Sequence, residues 1–138
     1  MKTDIRVFAS FMAAAIWADE EYQEAEKEAV KEVAEALEFK EDDFVKAVDE
    51  ELAKIKKLSA EKATEYLDAA AAKVNDEEVG IVMEAFLQIV ISDNVLSYDE
   101  MTNILAAADA LDMEHQFVML MLADLVKAEP ELEIDFGE

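Results

Sequence analysis

Two acidic stretches of the chain carry the residues best suited to chemistry, and they share one spacing. In the first, Asp19 is followed seven positions later by Glu26, with an apolar residue between them. Asp93 and Glu100 repeat this arrangement 74 positions further along the chain. Carboxylate oxygens are the ligands that hard cations such as Ca²⁺ and Mg²⁺ prefer. We therefore expect these four residues to bind a divalent cation if the two turns meet in space.

The same residues also have a purely structural interpretation. Ser97 and Glu100 form the S-x-x-E pattern of a capping box, in which the glutamate accepts a backbone N–H at the helix start. Gln23 and Glu26 form a weaker version of that pattern. The two aspartates can act as local turn formers, and neither stretch contains the EF-hand calcium loop. The sequence leaves cation binding and capping open as alternatives.

Other catalytic and metal chemistry lacks the necessary residues. The chain has no cysteine, which excludes thiolate metal sites and cysteine nucleophiles. Its single histidine, His115, has no second histidine for a tight zinc site and is expected to be an ordinary surface residue. Paired carboxylates are too abundant in an acidic chain to indicate a hydrolase. We expect no enzyme activity and no cofactor other than a possible Ca²⁺ or Mg²⁺.

The net charge of the chain narrows the classes of partner. A formal charge of −23 at pH 7 repels phosphate backbones and anionic lipid surfaces. Direct nucleic-acid binding and membrane insertion are therefore disfavoured, and we expect other proteins, especially basic ones, as partners. The alternative to a cation-binding module is an acidic protein-interaction module, or a decoy for a basic partner, with no metal site.

The composition predicts an all-α fold. The chain has 138 residues with only 2 Gly and 1 Pro, while good helix formers dominate. Residues 1–128 are expected to form a single domain, and residues 129–138 a frayed or loosely docked acidic tail. Helical spacing of apolar residues predicts a compact bundle of about seven helices. The predicted helices include Thr3 to Ala18, a second ending near Leu37, a fourth capped by Ser59, a fifth from Glu77 to Ser92 and a seventh from Glu114 to Ala128.

The separation of 74 positions extends beyond the acidic stretches. It also aligns Val30 with Ile104 and Leu37 with Leu111. A self-similarity of this length predicts a duplicated three-helix unit, with a linking helix between the copies and a pseudo-twofold arrangement. Matching the third and seventh helices through Phe44 and Phe117 requires dropping one residue, and both phenylalanines are then expected to be buried. Gly80, on the fifth helix, is expected to mark a close approach of two helices.

The start of the chain has some features of a signal peptide. Its weakly basic beginning precedes about a dozen apolar residues. The same run, however, corresponds to Val82–Ser92 in the chain interior, so we interpret it as the first copy of a buried helix. No apolar run approaches the ~20 residues that span a bilayer. We therefore expect a cytoplasmic protein.

The pattern of an alanine-rich apolar helix, then D-x-x-Φ-x-x-x-E, then an amphipathic helix resembles the TerB family of tellurite-resistance proteins. The segments that carry the resemblance are AAAIWADEEYQEAE with VAEALEF, and FLQIVISDNVLSYDE with AAADALDM. The resemblance implies a non-enzymatic, seven-helix module that binds divalent cations, with its acidic motif at Asp19, Glu26, Asp93 and Glu100. It also implies a link to tellurite or stress responses, and basic or membrane-associated stress-response components as partners. The chain departs from the family pattern in having Glu20 and Asn94, where glycine usually follows the aspartate.

Overall fold

Seven α-helices make up most of the part of the chain that the computed structural model describes, which is residues 2–18, 23–92, 95–128 and 133–135. The predicted all-α bundle is therefore confirmed. Two three-residue strands accompany the helices. In chain order the helices are α1 (Ile5–Ala18), α2 (Glu24–Ala36), α3 (Glu41–Ile55), α4 (Ala60–Ala71), α5 (Val79–Val90), α6 (Tyr98–Ala110) and α7 (His115–Ala128). A 3₁₀ turn at Asp76–Glu78 precedes α5.

Helices α1 and α5 form the centre of the bundle. Helix α1 packs against α3, α4, α5 and α6, while α5 packs against α1, α2, α6 and α7. Both are apolar on most sides, and burial of that apolar surface favours folding by roughly 25 cal/mol per Å². The large side chains that are fully buried include Phe8, Phe11, Met12, Ile16, Met83, Phe86 and Leu87. The expectation that the first and fifth helices are largely buried is confirmed.

Local sequence signals position the helix starts. The Asp4 carboxylate accepts the backbone N–H of Arg6 at 2.8 Å at the start of α1. The Ser59 hydroxyl accepts the N–H of Lys62 at 3.3 Å at the start of α4, as its sequence position predicts. These bonds satisfy backbone donors that a helix start leaves unpaired.

Helices α2 and α6 end in the same way. Among the described residues, Glu38 and Asp112 are the non-glycine residues with positive φ, at 62° and 56°. The N–H of the residue after each donates back to the carbonyl of Ala34 or Ala108, at 2.9 and 2.8 Å. This is the Schellman pattern, in which a left-handed residue terminates the helix. The two ends are again 74 positions apart, although the pseudo-twofold relation of the two units stays a prediction.

The predicted alignment of α3 with α7 is wrong by one residue. Phe117 is 53% exposed, whereas the adjacent Val118 is fully buried. Val118 follows the buried Phe44 by 74 positions, so the constant separation holds without a deletion. Because neighbouring helix positions are about 100° apart, burying Val118 turns Phe117 towards solvent.

Gly80 does not mark a close helix approach, contrary to the sequence expectation. A Cβ atom added at this position meets nothing within 4 Å. The expected approach is therefore wrong, and the glycine is not required by packing.

The two strands involve part of the acidic C-terminal segment. Strand β1 (Val95–Ser97) pairs in parallel with β2 (Glu133–Asp135), with Leu96 opposite Ile134. Residues 133–135 are therefore paired rather than frayed. Leu132, Ile134 and Phe136 alternate with acidic residues, which is the period of a strand. The assignment of residues 129–138 as a tail outside the domain stays a prediction.

No helix in the described part of the chain is both long and apolar enough to cross a membrane.

Candidate functional site

Glu26 lies at the first acidic helix start. Helix α2 begins after Gln23, which makes Glu26 its third residue. The Gln23 backbone N–H donates to Glu26 Oε1 at 3.1 Å, so the capping interpretation is confirmed for this bond. Glu26 is only 3% exposed. The positive end of the helix dipole and this hydrogen bond favour a carboxylate that is otherwise costly to bury.

Glu100 occupies the matching position in the second half of the chain. Helix α6 begins at Tyr98, directly after Ser97, so Glu100 is again the third helical residue. It too is only 3% exposed. Two carboxylates thus lie at the same position of two helices, equally buried and 74 positions apart.

The other two predicted ligands, Asp19 and Asp93, lie outside the described residues, as do Glu20, Tyr22 and Asn94. The predicted four-residue metal set is consequently untested. Within the ranges that the structure describes, histidine, aspartate and glutamate form no group of three or more suited to a metal ion.

A polar cluster that was not predicted from the sequence surrounds Glu51, a buried residue of α3. Glu51 Oε2 accepts hydrogen bonds from Arg6 Nη1 at 2.9 Å and from Lys54 Nζ at 2.8 Å. Glu51 Oε1 accepts bonds from the Tyr66 hydroxyl at 2.6 Å and the Ser10 hydroxyl at 3.3 Å. One carboxylate therefore joins α1, α3 and α4. The only signal for it in the sequence was a glutamate on the apolar side of a helix.

These contacts set the ionisation of the cluster. Burial alone raises the pKa of Glu51, but the hydrogen bonds from Lys54, Tyr66 and Arg6 outweigh it and hold the pKa below its usual value. Burial, together with the bond to Glu51, strongly raises the pKa of Tyr66. Glu51 is thus an ionised carboxylate surrounded by donors, which suits it to joining helices and not to accepting protons.

Another buried carboxylate, Glu78, joins the start of the chain to the 3₁₀ turn. It accepts the Thr3 hydroxyl at 2.7 Å and the Thr3 N–H at 2.6 Å, along with the Lys2 N–H at 3.1 Å. The hydrogen bond from the Thr3 hydroxyl is the main reason that the pKa of Glu78 is lowered. The Thr3 hydroxyl also accepts the Asn75 N–H at 3.0 Å. This network connects the residues before α1 with the segment before α5.

The histidine has the surface position expected of it. His115 begins α7 and is exposed, with its Nε2 atom 2.7 Å from Asp109 Oδ1. Its contact with Asp109 therefore joins the start of α7 to the last turn of α6.

The fold and its acidic helix starts define the class of this protein, an all-α module with two buried glutamates at equivalent helix positions. The chain matches the family model described as "Tellurite resistance protein TerB" over residues 9–122. Because the match covers most of the chain, the protein belongs to the TerB family, and the resemblance seen in the sequence is confirmed. Comparison with curated proteins and with solved structures gives no significant match.

Proposed function

We propose that this chain is a non-enzymatic TerB-family module that binds a divalent cation at its two acidic turns. Asp19 and Glu26 supply oxygen ligands from the first turn, and Asp93 and Glu100 supply them from the second. Ca²⁺ and Mg²⁺ are the favoured ions, since both prefer carboxylate oxygens. The link to tellurite or stress responses enters the proposal through the family, and the cytoplasmic location enters it through the interpretation of the first apolar run as a buried helix.

The observation that carries the proposal is the matched burial of Glu26 and Glu100. Each glutamate follows its aspartate by seven positions, so each turn brings a second carboxylate towards the start of its helix. Like charges ~4 Å apart repel by about 4 kcal/mol at an effective dielectric constant of 20. A cation between converging turns relieves that repulsion.

The test is thermal melting of chelator-stripped protein with Ca²⁺, Mg²⁺, Mn²⁺ or Zn²⁺ added at matched ionic strength. The double variant Asp19→Asn, Asp93→Asn removes one carboxylate from each turn. Its control is Asp49→Asn, Asp68→Asn, which makes the same charge change at exposed positions on α3 and α4. A cation at ~100 times its Kd adds about 2.7 kcal/mol to the free energy of unfolding.

We expect one cation to stabilise the wild type and the control but not the turn variant. If all cations act alike on the three proteins, they only screen surface charge. That result would reject the metal site and favour the alternative, an acidic interaction module with a basic partner.

A further inference from the structure

An open cleft of about 390 Å³ lies between α2, α5 and α7. Its apolar lining includes Ala29, Ile91 and Leu125, and Glu28 and Glu32 on α2 add carboxylates to it. Both glutamates are exposed, and Glu28 also pairs with Lys31 at 3.8 Å. The cleft therefore combines apolar surface with acidic side chains.

A second cleft of about 250 Å³ also reaches Leu125 and follows α5 and α7. Its lining adds Met121 to the apolar surface and the exposed Glu84 and Asp124 to the acidic side chains. The two clefts are called here the α2–α5–α7 groove. The two clefts share Leu125 and together carry carboxylates from three helices.

At a separation of 74 positions, the α2–α5–α7 groove corresponds to a surface of α1, α3 and α6 that lies beside α4. Helix α4 packs against α1 and α6. At the separation of 74 positions, α1 corresponds to α5, and α6 corresponds to α2. Residues that line the clefts beside α4 correspond, at that separation, to residues that line the α2–α5–α7 groove. The corresponding pairs are Ala14 and Gln88, Trp17 and Ile91, Asn103 and Ala29, Ala106 and Glu32, Ser10 and Glu84, and Glu51 and Leu125.

Residues beside α4 are more buried than the residues that follow them by 74 positions. Ser10 and Ala14 are buried beside α4, whereas their counterparts Glu84 and Gln88 are exposed and half-buried. Val7 is 6% exposed and its counterpart Ile81 is 38% exposed. Among the described residues, the α2–α5–α7 groove thus resembles the surface that α4 covers, but without a helix packed on it.

We propose that this groove binds a basic amphipathic helix of a partner protein, in the place that α4 takes in the first half. A helix lays its apolar face into such a groove through residues at i, i+3, i+4 and i+7. Lysine and arginine on that helix complement Glu32, Glu84 and Asp124. A second copy of this chain, with its net charge of −23, is repelled by the same surface. The acidic C-terminal segment has the wrong charge, and its residues 133–135 pair with β1.

The test uses a synthetic Leu/Lys peptide of about 16 residues with leucine at helical spacing, because shorter helices are marginal in water. Binding to the full chain is measured by fluorescence anisotropy at physiological salt in the presence of chelator. Cation binding at the acidic turns is thereby absent, so the outcome does not depend on the proposed cation site. Two further peptides carry a central proline or have glutamate in place of every lysine.

The groove variant is Glu84→Lys, Asp124→Lys. Its control, Glu35→Lys, Asp49→Lys, makes the same change in net charge at exposed positions outside the groove. Circular dichroism melting checks that both variants fold. We expect the groove variant to bind the Leu/Lys peptide about tenfold more weakly and the control less than about twofold more weakly. We also expect the peptide to shift the methyl NMR signal of Met121 but not those of the buried Met12 and Met83.

Equal weakening in the two variants would mean that the peptide senses only net charge, and the proposal would be rejected. It would also be rejected if the proline peptide bound as tightly as the intact helix, or if the Leu/Lys peptide did not bind.

Discussion

Tyr66 on α4 donates a 2.6 Å hydrogen bond to Glu51 on α3, and this bond ties the two helices together. Glu51 is buried and holds Arg6 and Lys54 through its other oxygen. The tyrosine hydroxyl is thus one of several donors that make burial of this carboxylate tolerable.

Removing the Tyr66 hydroxyl should lower the stability of the fold. Tyr66→Phe keeps the ring but leaves Glu51 Oε1 with only the longer Ser10 bond, so we expect a loss of about 1.5–3 kcal/mol in the free energy of unfolding. Urea denaturation measures it. The control is Thr64→Ala, which removes an exposed hydroxyl from the same helix and should change stability by about 0.5 kcal/mol or less. Equal effects of the two substitutions would contradict the importance of the Tyr66 bond.

The lowered pKa of Glu51 predicts a dependence of its contribution on pH. A carboxylate with a folded-state pKa below its unfolded value of about 4.5 stabilises the fold above pH 4.5. That contribution is lost as the pH falls through the folded-state pKa. We expect Glu51→Gln to cost about 1–3 kcal/mol at pH 6, and the difference from wild type to shrink below pH 4.5.

Comparing the variant with wild type at each pH is necessary, because acid also relieves the repulsion within a chain of charge −23. The quantity to be followed is the difference in unfolding free energy between wild type and Glu51→Gln. A difference that stayed constant from pH 6 to pH 3 would contradict the ionised state assigned to Glu51.

Glutamine at positions 26 and 100 separates capping from cation binding. Glutamine serves in a capping box as glutamate does, but it carries no charge. If the proposed cation site is correct, the free energy of unfolding of the double variant Glu26→Gln, Glu100→Gln should lie within about 1 kcal/mol of wild type in chelator. Addition of Ca²⁺ or Mg²⁺ should not stabilise this variant. A cation response equal to that of wild type would assign both glutamates to capping alone.

The register of α7 predicts opposite outcomes for two adjacent substitutions. Val118→Ala opens a cavity in the core and should cost about 2 kcal/mol. Phe117→Ser changes an exposed side chain and should stay within about 0.5 kcal/mol of wild type. Thermal melting of the two variants checks this, and the reverse order would mean that Phe117 is the core residue.

Gly80 offers a stabilising substitution. It lies within α5, and a Cβ atom at this position meets no neighbour within 4 Å. Gly80→Ala should therefore raise the free energy of unfolding by about 0.4–1 kcal/mol, mainly by restricting the unfolded chain. A melting temperature below that of wild type would contradict this prediction, because it would mean that the added methyl group clashes with a neighbouring atom.

The sequence alone determined the properties that depend on neighbouring residues. The all-α class, the seven helices, the cap at Ser59 and the position of Glu26 in its helix follow from composition, periodicity and local hydrogen bonding. These signals act within one or two helical turns, so a single stretch contains the information. The family resemblance also rests on contiguous motifs, and the match to the family model confirms it.

Only the tertiary structure decided the features that join distant parts of the chain. Val118 rather than Phe117 enters the core because of how α7 packs on its neighbours, and Glu51 acquires its donors from three helices. The pairing of residues 95–97 with 133–135 and the groove between α2, α5 and α7 likewise depend on helix placement. Each of these contacts links residues far apart in sequence, and their local patterns are compatible with more than one arrangement. The packing of the helices therefore determines which of the arrangements compatible with the local sequence forms.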